Sequence, residues 1–258
     1  MALPASQLQL IAPENFPRVR PGDDLAAQTA AALARAGIGL ADGDILVYAQ
    51  KIVSKAEGRL VNLAAVSPGP QALELAPVVA KDPRLVELVL RESRRVVRAA
   101  KDVLIVEHRL GFIMANAGID QSNVADPSGG DYALLLPQDP DASAARIREQ
   151  LHGLTGCRPG VVISDSFGRP WRIGTVGVAI DCAGLPATLD LRGQADLFGR
   201  PLRVSIVGHA DEIASAASLL MGQGREGRPV VLLRGLAAGG AHQPASALRR
   251  PGTEDLFK

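Results

Sequence analysis

Three β-branched residues, Val161-Val162-Ile163, run straight into Ser164-Asp165-Ser166 and then Phe167-Gly168-Arg169-Pro170-Trp171-Arg172. The apolar run reads as a buried strand, which fixes one central element of the fold. The strand stops on a carboxylate and a hydroxyl, hard oxygen donors of the kind Mg²⁺ or Mn²⁺ prefers. Beyond them Arg169 and Arg172 can grip phosphate or carboxylate oxygens, with the only Trp of the chain between them. The competing reading is a strand ending in an Asx-turn, with both arginines solvated.

The 258 residues, 47% hydrophobic and 21% charged, are enough for one large domain or two small ones. A formal net charge of +1 and 3% aromatics argue against a polyanion or single-stranded nucleic-acid binder. Cys157 and Cys182 show no metal-ligand spacing and point to a reducing compartment. No stretch approaches a membrane span, and Met1 to Pro13 lacks the pattern of a signal peptide. A cytoplasmic protein is the expectation.

In chain order, Leu8 to Ile11 reads as a first strand, and the prolines from Pro13 to Pro21 enforce an extended path. Asp23 or Asp24 caps a helix from Leu25 to Ala36, and Ile45 to Ala49 is a strand. Gln50, Lys51 and Lys55 follow that strand; on a helix the two lysines share a face and meet phosphate or solvent. Val61 to Pro77 reads as a connector broken at Pro68-Gly69-Pro70, and Asp82 to Ala99 as one helix. Val103 to Glu107 and Gly111 to Ala115 read as paired strands, with His108 exposed in their turn.

Asp120 and Asn123 follow the second of these strands, as metal ligand and nucleotide contact or as a capped turn. Gly118 before them permits close approach of a ligand. Ala125 to Asp141 reads as a surface loop and Ala142 to Thr155 as a helix capped by Asp141. Thr175 to Asp181, Arg203 to Gly208 and Val230 to Leu233 read as strands. The small residues of the helix Asp211 to Met221 suit close packing, including against a second subunit. The glycine-rich loop from Gly222 lacks the Walker spacing, and the tail from Ala237 reads as poorly ordered. The irregular mix of elements predicts an α+β fold with mixed sheets and packed helices.

Several segments together carry a resemblance. They are Pro21-Gly22-Asp23-Asp24-Leu25, Ile52 to Arg59, Asn116 to Asn123, Ser164 to Arg172, Asp196 to Arg200, and Ala210 to Ala214 followed by Leu219 to Gly222. In this order and spacing the chain resembles the coenzyme F420-0:gamma-glutamyl ligase family, in its single-module form. The resemblance spans a domain over 9–236, followed by a tail over 237–258. It implies an intertwined homodimer that uses GTP and Mg²⁺ or Mn²⁺ to join L-glutamate to coenzyme F420-0 by amide bonds.

The same resemblance implies that Asp120 and Asp165 bind metal, with Ser166 on a second ion. Lys55 and Asn123 would contact GTP, with Phe16, Pro17, Arg18, Val19, Gln50 and Lys51 also lining the nucleotide site. Family members often carry a Leu-Pro-Leu-Ile-like run where Phe16 to Val19 stand, and a hydroxyl where Gln50 stands. Making an amide from a carboxylate through an acyl phosphate needs such metal ligands and cations, and Arg169 and Arg172 complete that set. A metal-dependent phosphohydrolase and a non-enzymatic GTP-sensing module are the alternatives.

Overall fold

The apolar runs that stop on polar residues become neighbours in one sheet of the computed structural model, which describes residues 7–124, 129–236, 241–251 and 253–254. The elements are β1 (Gln9–Ile11), α1 (Leu25–Arg35), β2 (Ile45–Ala49), α2 (Gln50–Ala56), β3 (Leu60–Asn62), α3 (Pro70–Val79) and α4 (Pro83–Arg91). There follow β4 (Ser93–Ala100), β5 (Val103–His108), β6 (Ile113–Ala115), β7 (Tyr132–Leu134), α5 (Pro140–Thr155) and β8 (Gly160–Arg169). The last are β9 (Arg172–Ala183), β10 (Leu189–Asp190), β11 (Ile206–Val207), α6 (His209–Met221) and β12 (Val230–Arg234). The architecture is mixed, with several sheets and packed helices, as expected.

The largest sheet has the order β1-β12-β2-β8-β9. Only β2 and β8 run parallel, with Ile45 beside Gly160 and Ala49 beside Ser164; the other pairs are antiparallel. Alternate residues of β2 and β8 serve two cores, as the period of a pleated strand requires. Leu46, Tyr48, Val161 and Ile163 face α1 and α5, whereas Ile45, Val47 and Val162 face α6. Ile163 is wholly buried, which contributes about 1.5–3 kcal/mol for a side chain of its size. A third core, built around Val86, Val89, Leu104, Val106 and Ala133, belongs to a separate unit between α2 and α5.

That unit is where the sequence expectations fail most. The connector over Val61 to Pro77 contains α3, which starts at Pro70. The single helix expected over Asp82 to Ala99 is instead α4, capped by the Asp82 side chain, followed by the strand β4. Val96 and Val97 satisfied a helical pattern, but β4 pairs with β5 across a turn in which Asp102 takes a φ of +63°. His108 is fully buried, not exposed. Its Nδ1 accepts the Leu110 N–H and its Nε2 lies 3.6 Å from Glu92 Oε2. Within the expected surface loop from Ala125, β7 pairs with β3 and is largely buried, while residues 125–128 lie outside the described set.

Smaller corrections follow the same logic. Asp139 caps α5, not Asp141, because the helix begins at Pro140. Only Ile206 and Val207 of the stretch Arg203 to Gly208 form a strand. The small-residue face of α6 packs on its own sheet. A Cβ added to Gly177 would lie 2.4 Å from the Ala214 carbonyl oxygen, and Ser215 Oγ donates to the Gly177 carbonyl at 2.7 Å. The tail is not uniformly loose, since Ala245 is buried and Gln243 accepts from the Thr188 amide at 3.0 Å. Residues 237–240, 252 and 255–258 lie outside the described set, as do 1–6 of the segment judged to lack a signal peptide. Among the described residues no helix is long and apolar enough to cross a membrane.

Candidate functional site

The register of β2 against β8 sets the site. Ala49 pairs with Ser164, so the next residues, Gln50 and Asp165, emerge side by side where the parallel pairing of β2 with β8 ends. Ligands of sheet proteins gather at such carboxyl ends. Gln50 opens α2, which carries Lys51 and Lys55 over the same edge on one helical face. The strand β8 does not stop at Asp165 as expected. It continues to Arg169, pairing Ser166 with Gly177 and Phe167 with Val176, and turns at Pro170 and Trp171 into β9.

Asp120 arrives from the other unit. After β6 the chain makes a 3₁₀ turn in which Asn116, Ala117 and Gly118 have φ of +52°, +52° and +65°. Two non-glycine residues in the left-handed region cost about 1–3 kcal/mol each, so the surrounding packing must hold this turn. Gly118 is there for that packing and not for a ligand: an added Cβ would fall 2.7 Å from Met114 Cε and 2.9 Å from Leu136. Asp120 is then fixed by paired backbone hydrogen bonds with Leu134, of 3.0 and 2.8 Å.

Lys51 joins the two units. Its Nζ lies 2.6 Å from Asp120 Oδ2 and donates to Ser122 Oγ at 2.9 Å. Ser122 Oγ donates to Asp120 Oδ1 at 2.8 Å. Lys55 Nζ donates to the Asn123 carbonyl at 2.8 Å, and Asn123 Nδ2 donates to the Gly224 carbonyl at 3.0 Å. The glycine-rich loop thereby closes one side of the site. Ser122 and Gly224 have roles that sequence reasoning did not assign. An Asp followed two residues later by Ser is an Asx-turn signal that could have marked the first.

The electrostatics divide the two carboxylates. Burial disfavours the Asp120 charge, but hydrogen bonds from Lys51 and Ser122 outweigh it and hold its pKa below the ordinary value. Asp165 is pushed up to about 7, by burial first and with the Asp120 charge adding to it. The Ser166 amide, Lys51 and Gln50 oppose the rise only in part. Lys55 is lowered by burial and then by the positive charges of Lys51 and Arg18, against a smaller pull from Asp120.

The remaining expected residues are more scattered. Phe16 and Val19 pack partly against the core beneath the site, while Pro17 and Arg18 are exposed. Arg169 and Arg172 face each other across the tip of the β8–β9 hairpin. Arg172 is exposed, and Arg169 keeps a buried Nη1 without a hydrogen-bond partner. Among the described residues no hydrogen bond or ion pair joins either of them to Asp120, Lys51 or Lys55.

A divalent cation fits these donors. Asp120 and Asp165 are carboxylates of the right kind, and Mg²⁺ is commonly held by one or two carboxylates with the rest from substrate phosphate and water. Gln50 faces Asp165 from the start of α2, and its hydrogen bonding helps to hold the Asp165 charge in place. Among the described residues no cluster of three or more His, Cys, Asp or Glu could hold a metal without such help.

Comparison with known proteins now adds what geometry alone does not. Residues 14–235 match the family described as F420-0:Gamma-glutamyl ligase. A protein of Methanothermobacter thermautotrophicus named coenzyme F420:L-glutamate ligase is 46% identical over 97% of this chain and 99% of its own length. Proteins of the same name from Methanopyrus kandleri and Methanocaldococcus jannaschii are 44% and 42% identical, covering 93% and 84% of this chain, and 94% and 85% of their own lengths. The class is therefore a ligase enzyme. The chain belongs to the F420-0:gamma-glutamyl ligase family.

Proposed function

We propose that this chain joins L-glutamate to coenzyme F420-0 by an amide bond, in coenzyme F420 biosynthesis, with GTP activating the acceptor carboxylate as an acyl phosphate. One observation carries the reading. Lys51 is bonded to Asp120, and its charge also acts on Asp165, so two carboxylates from different units meet beside a group of cations. Asp120, Asp165 and Ser166 would hold Mg²⁺ or Mn²⁺. When bound, such an ion neutralises charge on phosphoryl oxygens. Lys51 and Lys55 hold the phosphates, with Arg18 adding positive charge at the rim. Asn123 positions the nucleotide against the Gly224 loop. Arg169 and Arg172 lie on a hairpin tip, where they can meet an anionic substrate entering the site.

Mass spectrometry of F420-0 after incubation with GTP, divalent metal and L-glutamate is the test. The expected product gains glutamyl residues only when all components are present. GTP hydrolysis without acceptor or glutamate would instead identify a phosphohydrolase, and binding without turnover a sensor.

A homodimer, in the cytoplasm, belongs to the same proposal. Large apolar side chains of β9, of the segment 191–205 and of α6 stand in water. Ile173 is 103% exposed, Leu197 100%, Phe198 86%, Val204 85% and Leu219 80%. Such a set marks an interaction surface. Sedimentation at micromolar concentration is expected to show a dimer, and a stable, active monomer would refute it.

A further inference from the structure

Arg249 lies beyond the segment that matches the family, yet its side chain reaches back to the turn preceding the Asp120 segment. Its Nη1 donates to the Leu110 carbonyl. Its guanidinium carbon sits 5.9 Å from the centroid of the Phe112 ring, within cation–π range. Gly111, at φ +89°, leaves the necessary room, since an added Cβ would fall 2.2 Å from Arg249 Nη1.

The strap carrying Arg249 is anchored independently. Gln243 donates its amide to the Leu185 carbonyl at 3.2 Å, and its Oε1 accepts from Thr188 N and Oγ1 at 3.0 and 3.1 Å. A 3₁₀ turn, Ala245–Leu248, then buries Ala245 and packs Leu248 against the α6 core.

Phe112 in turn meets Phe167 edge to face, with centroids 6.0 Å apart and planes at 81°. Phe167 directly follows Asp165 and Ser166 in β8. Phe112 directly precedes β6, which leads into the strained turn and Asp120. The aromatic pair therefore joins the two segments that bring the site's carboxylates together.

The geometry points to Arg249 as a positioning residue: through Phe112 and Phe167, the C-terminal strap sets the separation of the Asp120 and Asp165 segments. This rests on the proposed metal role of those aspartates. The chemistry needs it because a rim of donors on two units has no covalent spacer, and groups supporting metal ligands are worth about 10–100-fold in affinity.

The test uses the full chain with Arg249→Ala, the conservative Arg249→Lys, and Arg250→Ala as a control at an exposed neighbour. Hydrogen exchange is followed in peptides covering 112–120 and 165–169, and Mn²⁺ binding is titrated by electron paramagnetic resonance without substrates. In Arg249→Ala both peptides are expected to exchange faster together and Mn²⁺ affinity to fall about tenfold. Arg249→Lys should recover most of that loss, and Arg250→Ala should match wild type. A lower melting temperature with exchange in both peptides and Mn²⁺ affinity unchanged overturns the inference, as does an equal effect of Arg250→Ala. If both peptides loosen while wild-type protein and Asp165→Asn fail alike to bind Mn²⁺, the strap stands and the metal reading falls.

Discussion

The central sheet and the unit between α2 and α5 each remove a carboxylate from bulk water, and the two are driven in opposite directions. Glu92, at the end of α4, accepts from Arg59 Nη2 and Arg109 Nε, both at 3.0 Å, and lies 3.6 Å from His108 Nε2. Burial alone would raise its pKa, but His108, Arg109 and the charge of Arg59 outweigh burial and hold it at about 2. Asp165 has no such set of cations and is pushed up to about 7. One carboxylate is saturated by its own chain and works as a joint. The other is left short of positive charge, which is how a fold prepares a group for a ligand.

The largest effect should come from removing the charge that the fold leaves unsatisfied. Asp165→Asn is expected to lower ligase turnover by at least about a hundredfold, or about 2.7 kcal/mol. Its melting temperature without divalent ions should be equal to or above that of wild type. Steady-state kinetics and thermal melts check both halves, and a large drop in melting temperature would make Asp165 a structural residue like Glu92.

Glu92→Gln reverses the pattern. Breaking one member of a buried ionic cluster should cost about 3 kcal/mol of stability, measured by urea unfolding, while turnover of the folded protein stays within a few-fold. A variant as stable as wild type would show that the Arg59 and Arg109 contacts contribute nothing net.

Lys55→Ala is expected to weaken GTP binding by about 1.5–3 kcal/mol in calorimetry, the value of one charge-assisted hydrogen bond. Unchanged affinity would remove Lys55 from the nucleotide site and leave it as a tie to the Asn123 carbonyl.

A further contrast is the dependence of stability on pH. A carboxylate whose folded pKa is depressed contributes stability that is present above its unfolded pKa and lost as pH falls through the folded value. For Glu92 that window runs from 4.5 down to about 2. Wild-type stability should fall steeply across it, and Glu92→Gln should show a shallower slope. Parallel slopes for the two proteins would assign the acid sensitivity elsewhere.

How much of this was legible depended on the distance over which each decision is made. The strand Val161 to Ile163, the helix from Leu25 capped by Asp24, and the strand Ile45 to Ala49 are local, and the structure keeps them. So is the helical spacing that puts Lys51 and Lys55 on one face. The end of the expected helix at Ala99 was not local: Ser93 to Ala100 became a strand because β5 lies opposite. His108 was misplaced for a similar reason, since its burial depends on Glu92, sixteen positions earlier, which lies 3.6 Å from its Nε2.

By itself the sequence determined which residue types the site could draw on and the family to which their order belongs. Hydrophobic period, caps and turn residues act within a few positions, so those assignments need no knowledge of the rest of the chain. Only the tertiary structure decided that Asp120 and Asp165 share Lys51, that Gln50 lies beside Asp165, and that α6 spends its small residues on its own sheet. Those pairings join residues tens of positions apart. They are fixed by strand register and close packing, which no local pattern encodes.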